Sequence, residues 1–424
     1  MKFFDGRVAP EPAILIAETP HATVTYPNWL ETSQIDGVDL VLTPTDSPQG
    51  FIPTLVLTSV ADTAPLMDAS TAAFHAARAR HPGAYVLAVD LWHPTRDDSA
   101  PRGRRIIFVY RAENGQDVVV AEWVWATGTH HVHLSASCSP SQWTGCSPVF
   151  DGIAARLTLT ADPADVAEAA GATGDAPLDA ALSARAGHPI ESLDGISAPT
   201  FLSAAPRVST EALQALLTGA TKARIGAAYG ILARADRGTS RARELQNAGW
   251  IDGEGRLTRE GGAAGTALAA NRPVVTVQTR RADRAALLVA YAGPRGVLVL
   301  HDPPLTEASA TEGAARHAVV LDPDHVPTFV SAWLGLTPGW PVSEEDEQIT
   351  VADLAAHVAA ADPAVEPWTE VLFRSEDGQL ADAISPSRGW LHLGPPVDGI
   401  HPLRAEPTAA VFDALAASVS RARA

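Results

Sequence analysis

Leu245-Gln-Asn-Ala-Gly-Trp-Ile-Asp-Gly-Glu-Gly-Arg-Leu-Thr-Arg-Glu-Gly-Gly262 is the stretch on which the reading of this chain turns. Helical pattern stops at Gly249, and polar turn residues then isolate Trp250, Ile251 and Leu257. Two uses fit such a passage. It is either the helix end and wing of a winged-helix nucleic-acid module, or the junction between a helical part and a β-rich part of a protein-binding domain. A wing needs two paired strands, whereas the residues after Gly255 are short and poor in β-formers, and Asp252, Glu254 and Glu260 would face phosphates.

Upstream of it, Ser209 to Leu217, Ala223 to Ala235 and Ser240 to Ala248 read as helices, the first opening on a Ser that can cap it and the last closing at Gly249. Downstream, past the Gly-rich connection, four strands follow at Arg272 to Thr279, Ala286 to Tyr291, Gly296 to Leu300 and His317 to Leu321. Gly293-Pro-Arg-Gly296 turns one hairpin, and a helix over Val326 to Leu334 ends at Gly335. A helix over Val351 to Ala360, strands at Glu370 to Arg374 and Gly389 to Leu393, and a helix from Pro407 to Ala422 complete this half. No internal repeat is evident.

The first part of the chain has its own pattern. Ala13 to Ala17, Val38 to Leu42, Thr54 to Thr58 and Tyr85 to Val89 are short β-forming runs, and Ala64 to Arg80 between the last two carries one apolar helical face. Arg105 to Tyr110, Asp117 to Trp125 and His131 to Ala136 then form an antiparallel meander, its first hairpin signalled by Asn114-Gly115. A closing helix is expected over Ser147 to Leu159. The fold class is α+β in two domains, each a mainly antiparallel sheet packed with helices: residues 1–160, an Ala/Asp/Pro-rich linker over 161–198, and residues 199–424. With 424 residues, 46% of them hydrophobic, the chain exceeds the ~250 to 300 residues at which one core stops growing.

Composition bounds the function. A net charge of -18 opposes a broad phosphate-tracking surface and so opposes nucleic acid as a partner. The N-terminal residues Met1 to Pro10 break any apolar signal with charge and Pro, and no apolar run reaches the ~18 residues of a spanning helix, so a cytoplasmic location without a membrane segment is expected. Cys138 and Cys146 are separated by the seven residues Ser-Pro-Ser-Gln-Trp-Thr-Gly, and without a signal peptide reduced thiols are favoured over a bridge. His130, His131 and His133 put at most two rings on one strand face, short of the three ligands of a catalytic zinc site. No nucleophile elbow or phosphate loop occurs, since Gly261-Gly-Ala-Ala-Gly265 lacks both the lysine and the preceding strand. The expectation is of no catalytic residues, no metal and no cofactor.

Two resemblances follow from the order of these elements. Tyr26-Pro-Asn-Trp29, the hairpin before Val118 to Trp123, and Phe150-Asp-Gly-Ile153 make residues 1–160 similar to the PsbP, Mog1 and LpqN group, a fold of binding and accessory roles. Leu245 to Leu257, Asn271 to Val277, Ala286 to Gly293, Gly296 to Leu300, Ala318 to Leu321 and Val326 to Leu334 resemble, in that order, EspG-type proteins associated with type VII (ESX) secretion. That second resemblance implies a cytosolic chaperone whose partner is a secreted helical-hairpin client. The turn Arg280-Arg-Ala-Asp-Arg284 then becomes the candidate contact, with Arg280, Arg281, Asp283 and Arg284 offered to an acidic partner. Trp333-Leu-Gly335 matches the tripeptide of secreted substrates, but Thr337-Pro338 follows it and no C-terminal export signal is present, so helper fits better than cargo. The runner-up remains a winged-helix regulator.

Overall fold

A computed structural model describes residues 13–46, 50–81, 83–92, 102–162, 164–166, 205–224, 238–305, 315–336, 347–359, 364–375, 378–385, 389–406 and 408–421. It is an α+β structure of two compact units. The described residues 13–166 belong to the first; residues 205–336, 347–406 and those from Ala410 onward belong to the second.

In the first unit, β2 (Ala22–Pro27) pairs with β1 (Ile14–Glu18) on one side and β10 (Thr158–Leu159) on the other as a small three-stranded sheet. A seven-stranded antiparallel sheet carries the core. Its strands are β3 (Leu30–Ser33), β4 (Leu40–Pro44), β5 (Thr54–Ala61), β6 (Tyr85–Trp92), β7 (Gly103–Arg111), β8 (Asp117–Ala126) and β9 (His130–Cys138), in the order β3-β4-β5-β9-β8-β7-β6. All ten residues of β8 are buried, because helices cover it on both faces. Helix α1 (Leu66–Arg80) sets Leu66, Phe74 and Ala77 on Val118, Val120 and Val124, the even face. The odd face of β8, with Val119, Ala121, Trp123 and Trp125 fully sequestered, is turned away from that cluster, and α2 (Pro140–Ala154) packs on β8 and β9 as well. Burying side chains of this size stabilises by roughly 1.5 to 3 kcal/mol each.

Helix α2 differs from the expected Ser147 to Leu159 by starting seven residues earlier. Pro140 occupies its first turn, where a missing N–H costs nothing. Gln142 Oε1 accepts from the Ser139 backbone N–H and from its hydroxyl, each at 3.0 Å, a capping-box arrangement hidden in a segment that reads as a Ser/Pro loop.

The second unit is built on one ten-stranded antiparallel sheet. Its first half comprises β11 (Arg207–Ser209), helices α3 (Thr210–Arg224), α4 (Ser240–Asn247) and α5 (Arg259–Ala270), then β12 (Pro273–Arg281), β13 (Arg284–Gly293), β14 (Gly296–His301), β15 (Ala315–Leu321) and α6 (Val326–Leu334). The second half repeats that plan: β16 (Glu347–Thr350), α7 (Val351–Ala359), β17 (Thr369–Ser375), β18 (Gly378–Ser385), β19 (Gly389–Leu393), β20 (Ile400–Glu406) and α8 (Thr408–Arg421). In each half the leading strand returns to pair with the last strand of a four-stranded meander, and the halves join through β12 and β17, giving β11-β15-β14-β13-β12-β17-β18-β19-β20-β16. The sequence shows no repeat, yet the architecture has one. Four of these strands, β11, β16, β18 and β20, were not expected. Gly378-Gln-Leu-Ala-Asp-Ala-Ile-Ser385 is poor in β-branched residues, and Pro402 argues against a strand at β20.

The opening stretch joins two helices and does not join helix to sheet. Helix α4 ends at Asn247, Gly249 takes a left-handed turn at φ 73°, and Trp250 and Ile251 enter the core with Leu245, Ala264 and Leu298. Asp252 ties the turn by accepting from the N–H groups of Glu254 at 2.9 Å and Arg256 at 2.8 Å, which holds its carboxyl below the usual range. Thr258 then caps α5, its hydroxyl accepting from Gly261 N–H at 3.0 Å. Helix α5 replaces the expected Gly-rich connection. Of the wing that the runner-up reading needs, only the isolated bridge between Ile251 and Leu257 is present among the described residues. The expected helix over Ala223 to Ala235 falls outside the described residues after Arg224, and so does most of the expected linker.

Candidate functional site

The turn singled out in the sequence is a two-residue connection. Arg281 pairs with Arg284 at the end of the β12–β13 ladder, and Ala282 at the tip has φ 54°, a left-handed conformation for which a non-glycine residue is strained. Its amide donates to the Val358 carbonyl of α7 at 2.6 Å, so the tip is anchored. Arg280 is engaged with Glu370 of β17 at 2.8 Å, and Arg284 donates to the Leu305 carbonyl at 3.2 Å. Asp283 is exposed and Arg281 half-buried. Two of the three arginines thus also make contacts within the fold.

The histidines of β9 separate as their strand position requires. His130 stacks on His21 with ring centroids 3.8 Å apart. His131 and His133 lie on the α1 side, where His133 Nδ1 meets the buried Glu122 carboxylate at 3.0 Å and His131 Nε2 meets the Ala64 carbonyl at 2.8 Å. Among the described residues no group of three His, Cys, Asp or Glu side chains is placed to hold a metal. Cys138 and Cys146 are both free thiols. Burial holds Cys138 well above the ordinary thiol range, and its hydrogen bond to Cys146 draws the latter down.

Two features of the second half went unseen in the sequence. One is an apolar tip. The β19–β20 hairpin turns through Asp398 (φ 51°) and Gly399 (φ 79°), the pair of left-handed residues that a type I′ turn requires. Val397 and Ile400 bracket the turn and exchange backbone hydrogen bonds at 2.9 and 3.0 Å, and Val351 N–H reaches the Gly399 carbonyl at 3.0 Å. Brought near one another by these backbone bonds, Val397, Ile400 and Val351 are 66%, 37% and 46% exposed, beside the edge strand β16.

The other is a cavity of about 300 Å³ between β17–β20 and the C-terminal helix from Ala410 to Leu415. Asp382, His392 and Arg404 stand directly opposite one another on β18, β19 and β20 and line it in a row. Asp382 is buried and accepts from His392 Nδ1 at 2.8 Å. Burial raises the Asp382 carboxyl above the usual range, opposed by the His392 bond and by a hydrogen bond from Trp390. Arg404 is paired with Glu406, and Trp390 and Phe373 supply aromatic walls. No sequence signal marks this row, since its members are ten and twelve residues apart and meet only through strand register.

The sequence matches no family model and no curated protein. Among solved structures, the chain is similar to cyanobacterial PsbP (CyanoP) from Synechocystis sp. PCC 6803, at 12% identity over 36% of this chain and 96% of that one, with a TM-score of 0.28. A protein from Bacteroides thetaiotaomicron VPI-5482 aligns with 77% of this chain and 95% of its own, at 8% identity and a TM-score of 0.24. The first of these touches the PsbP-like expectation for the N-terminal third; neither bears on the EspG-like expectation, and at these scores neither carries weight for function. None of the described helices is long and apolar enough to cross a membrane.

Proposed function

We propose that this chain is a non-enzymatic cytosolic accessory protein that binds a protein client, a secreted helical hairpin handled by a type VII-like secretion system. The observation that carries the reading is the apolar tip formed by Val351, Val397 and Ile400. Large aliphatic side chains exposed together at a sheet end mark a contact surface, and the apolar face of an amphipathic helix is the complementary shape. The ordered resemblance over residues 245–334 supports the choice of client. The described residues of that range follow the order helix, four-stranded meander, helix. The tip, rather than the Arg280 to Arg284 turn, is the surface assigned to the client, because Arg280 and Arg284 already serve the fold. Co-purification with helical-hairpin proteins encoded beside its gene tests the reading, with Val397→Asp as the control that removes the apolar contact.

A further inference from the structure

We propose that the cavity under the C-terminal helix is a binding site for a small amine, a protonated amino group on a compact aromatic or aliphatic body. At about 300 Å³ it has the size at which ligand pockets begin, and apolar walls with a few convergent polar groups are their usual make-up.

The polar row defines the head group. His392 Nδ1 is committed to the Asp382 carboxylate at 2.8 Å, and in the tautomer that donates from Nδ1 the Nε2 atom is an acceptor, on a side chain that remains one-third exposed. Carboxylates at Asp382 and Glu406 outnumber the one guanidinium of Arg404, which is already engaged with Glu406. A ligand with an N–H donor and a positive charge meets an acceptor and a surplus of carboxylates there, whereas an anion meets Asp382 and an arginine already paired with Glu406. Trp390 and Phe373 add ring faces, which attract a cation as well as an apolar body.

The other half of the sheet shows that the fold does not demand this arrangement. His301 on β14 lies in the ladder Leu288–His301–His317, as His392 lies in Asp382–His392–Arg404. There, Leu288 stands where the second half has a carboxylate, and Phe329 of α6 packs on the His301 ring at 5.3 Å. His301 is 1% exposed. In the second half the exposed Ala410 and Ala414 line the same cavity as its histidine.

The test is calorimetric titration of the full chain with phenethylamine, with phenylacetate and phenethyl alcohol as anionic and neutral counterparts. Phenethylamine is expected to bind saturably, ~tenfold or more tightly than phenylacetate, and its binding is expected to be lost in Leu415→Trp, which fills the cavity. In the unsubstituted protein the Trp390 indole N–H resonance is expected to shift on titration, a readout that does not depend on a variant folding. Equal or tighter binding of phenylacetate, binding that survives Leu415→Trp with native circular dichroism, or no saturable phenethylamine binding and no Trp390 shift would each overturn the proposal.

Discussion

The Trp250 carbonyl oxygen lies 1.9 Å from the position a Cβ would take on Gly261. The same carbonyl accepts the Thr258 N–H at 3.0 Å, so it cannot withdraw without undoing the cap of α5. Gly261 is therefore required by close approach, and Gly265 likewise, with its missing Cβ 2.5 Å from that of Ala220 on α3. Gly262, between them, has only the Arg295 guanidinium at 4.0 Å.

Two adjacent substitutions separate these roles. Gly261→Ala is expected to destabilise by about 3 kcal/mol or more through overpacking against backbone. Gly262→Ala is expected to be neutral or to stabilise by up to about 1 kcal/mol, because alanine is the better helix former. Urea unfolding of the two variants measures both, and equal effects would refute the close-approach argument.

Gln142 performs three tasks at the start of α2. Its Oε1 accepts from the Ser139 N–H and hydroxyl, and its Nε2 donates to the Phe51 carbonyl at 2.9 Å. Gln142→Ala is expected to cost about 1 to 3 kcal/mol, and Gln142→Glu, which keeps the acceptor and loses the donor, about half of that. Thermal unfolding of the two variants orders them.

Burial pushes the His301 ring down to about 4, helped by the nearby His317 and opposed by Asp302. A histidine whose folded pKa lies below its unfolded value near ~6.5 keeps its full contribution above that pH and loses it as pH falls, because the unfolded chain takes up the proton first. The loss runs from about pH 6.5 to about pH 4 and amounts to about 3 kcal/mol at order-of-magnitude precision. Denaturant midpoints of the wild type and His301→Gln, compared across that window, are expected to converge as pH falls; a constant difference would contradict the assignment.

Arg280 and Glu370 form a cross-strand pair whose arginine side chain is 57% exposed. A double-mutant cycle is expected to return less than about 1 kcal/mol, as solvent-exposed pairs do. A larger coupling would mean that the turn is held more rigidly by this pair than by the Ala282 bond to Val358.

Much of the fold was legible because its signals are local. Asn114-Gly115 announced the β7–β8 hairpin, and the apolar runs from Val274 to Leu321 announced β12 to β15. Asp398-Gly399 carries the same hairpin message for β19 and β20, but Pro402 obscured the second strand. Helix α5 was hidden by Gly261, Gly262 and Gly265, residues that weaken a helix in isolation; close packing against Trp250 and α3 accounts for Gly261 and Gly265. The Asp382–His392–Arg404 row was not legible at all, because register between strands, which no short sequence motif encodes, brings it together.

The tip at Val351, Val397 and Ile400 is the surface proposed to hold a helical-hairpin protein. Light scattering coupled to size exclusion, on the chain mixed with the helical-hairpin proteins encoded beside its gene, tests it most directly. A stoichiometric complex is expected with the wild type and none with Val397→Asp, whose own elution and circular dichroism stay native. No complex with any such protein, recovery of nucleic acid in its place, or a complex indifferent to Val397→Asp would contradict it.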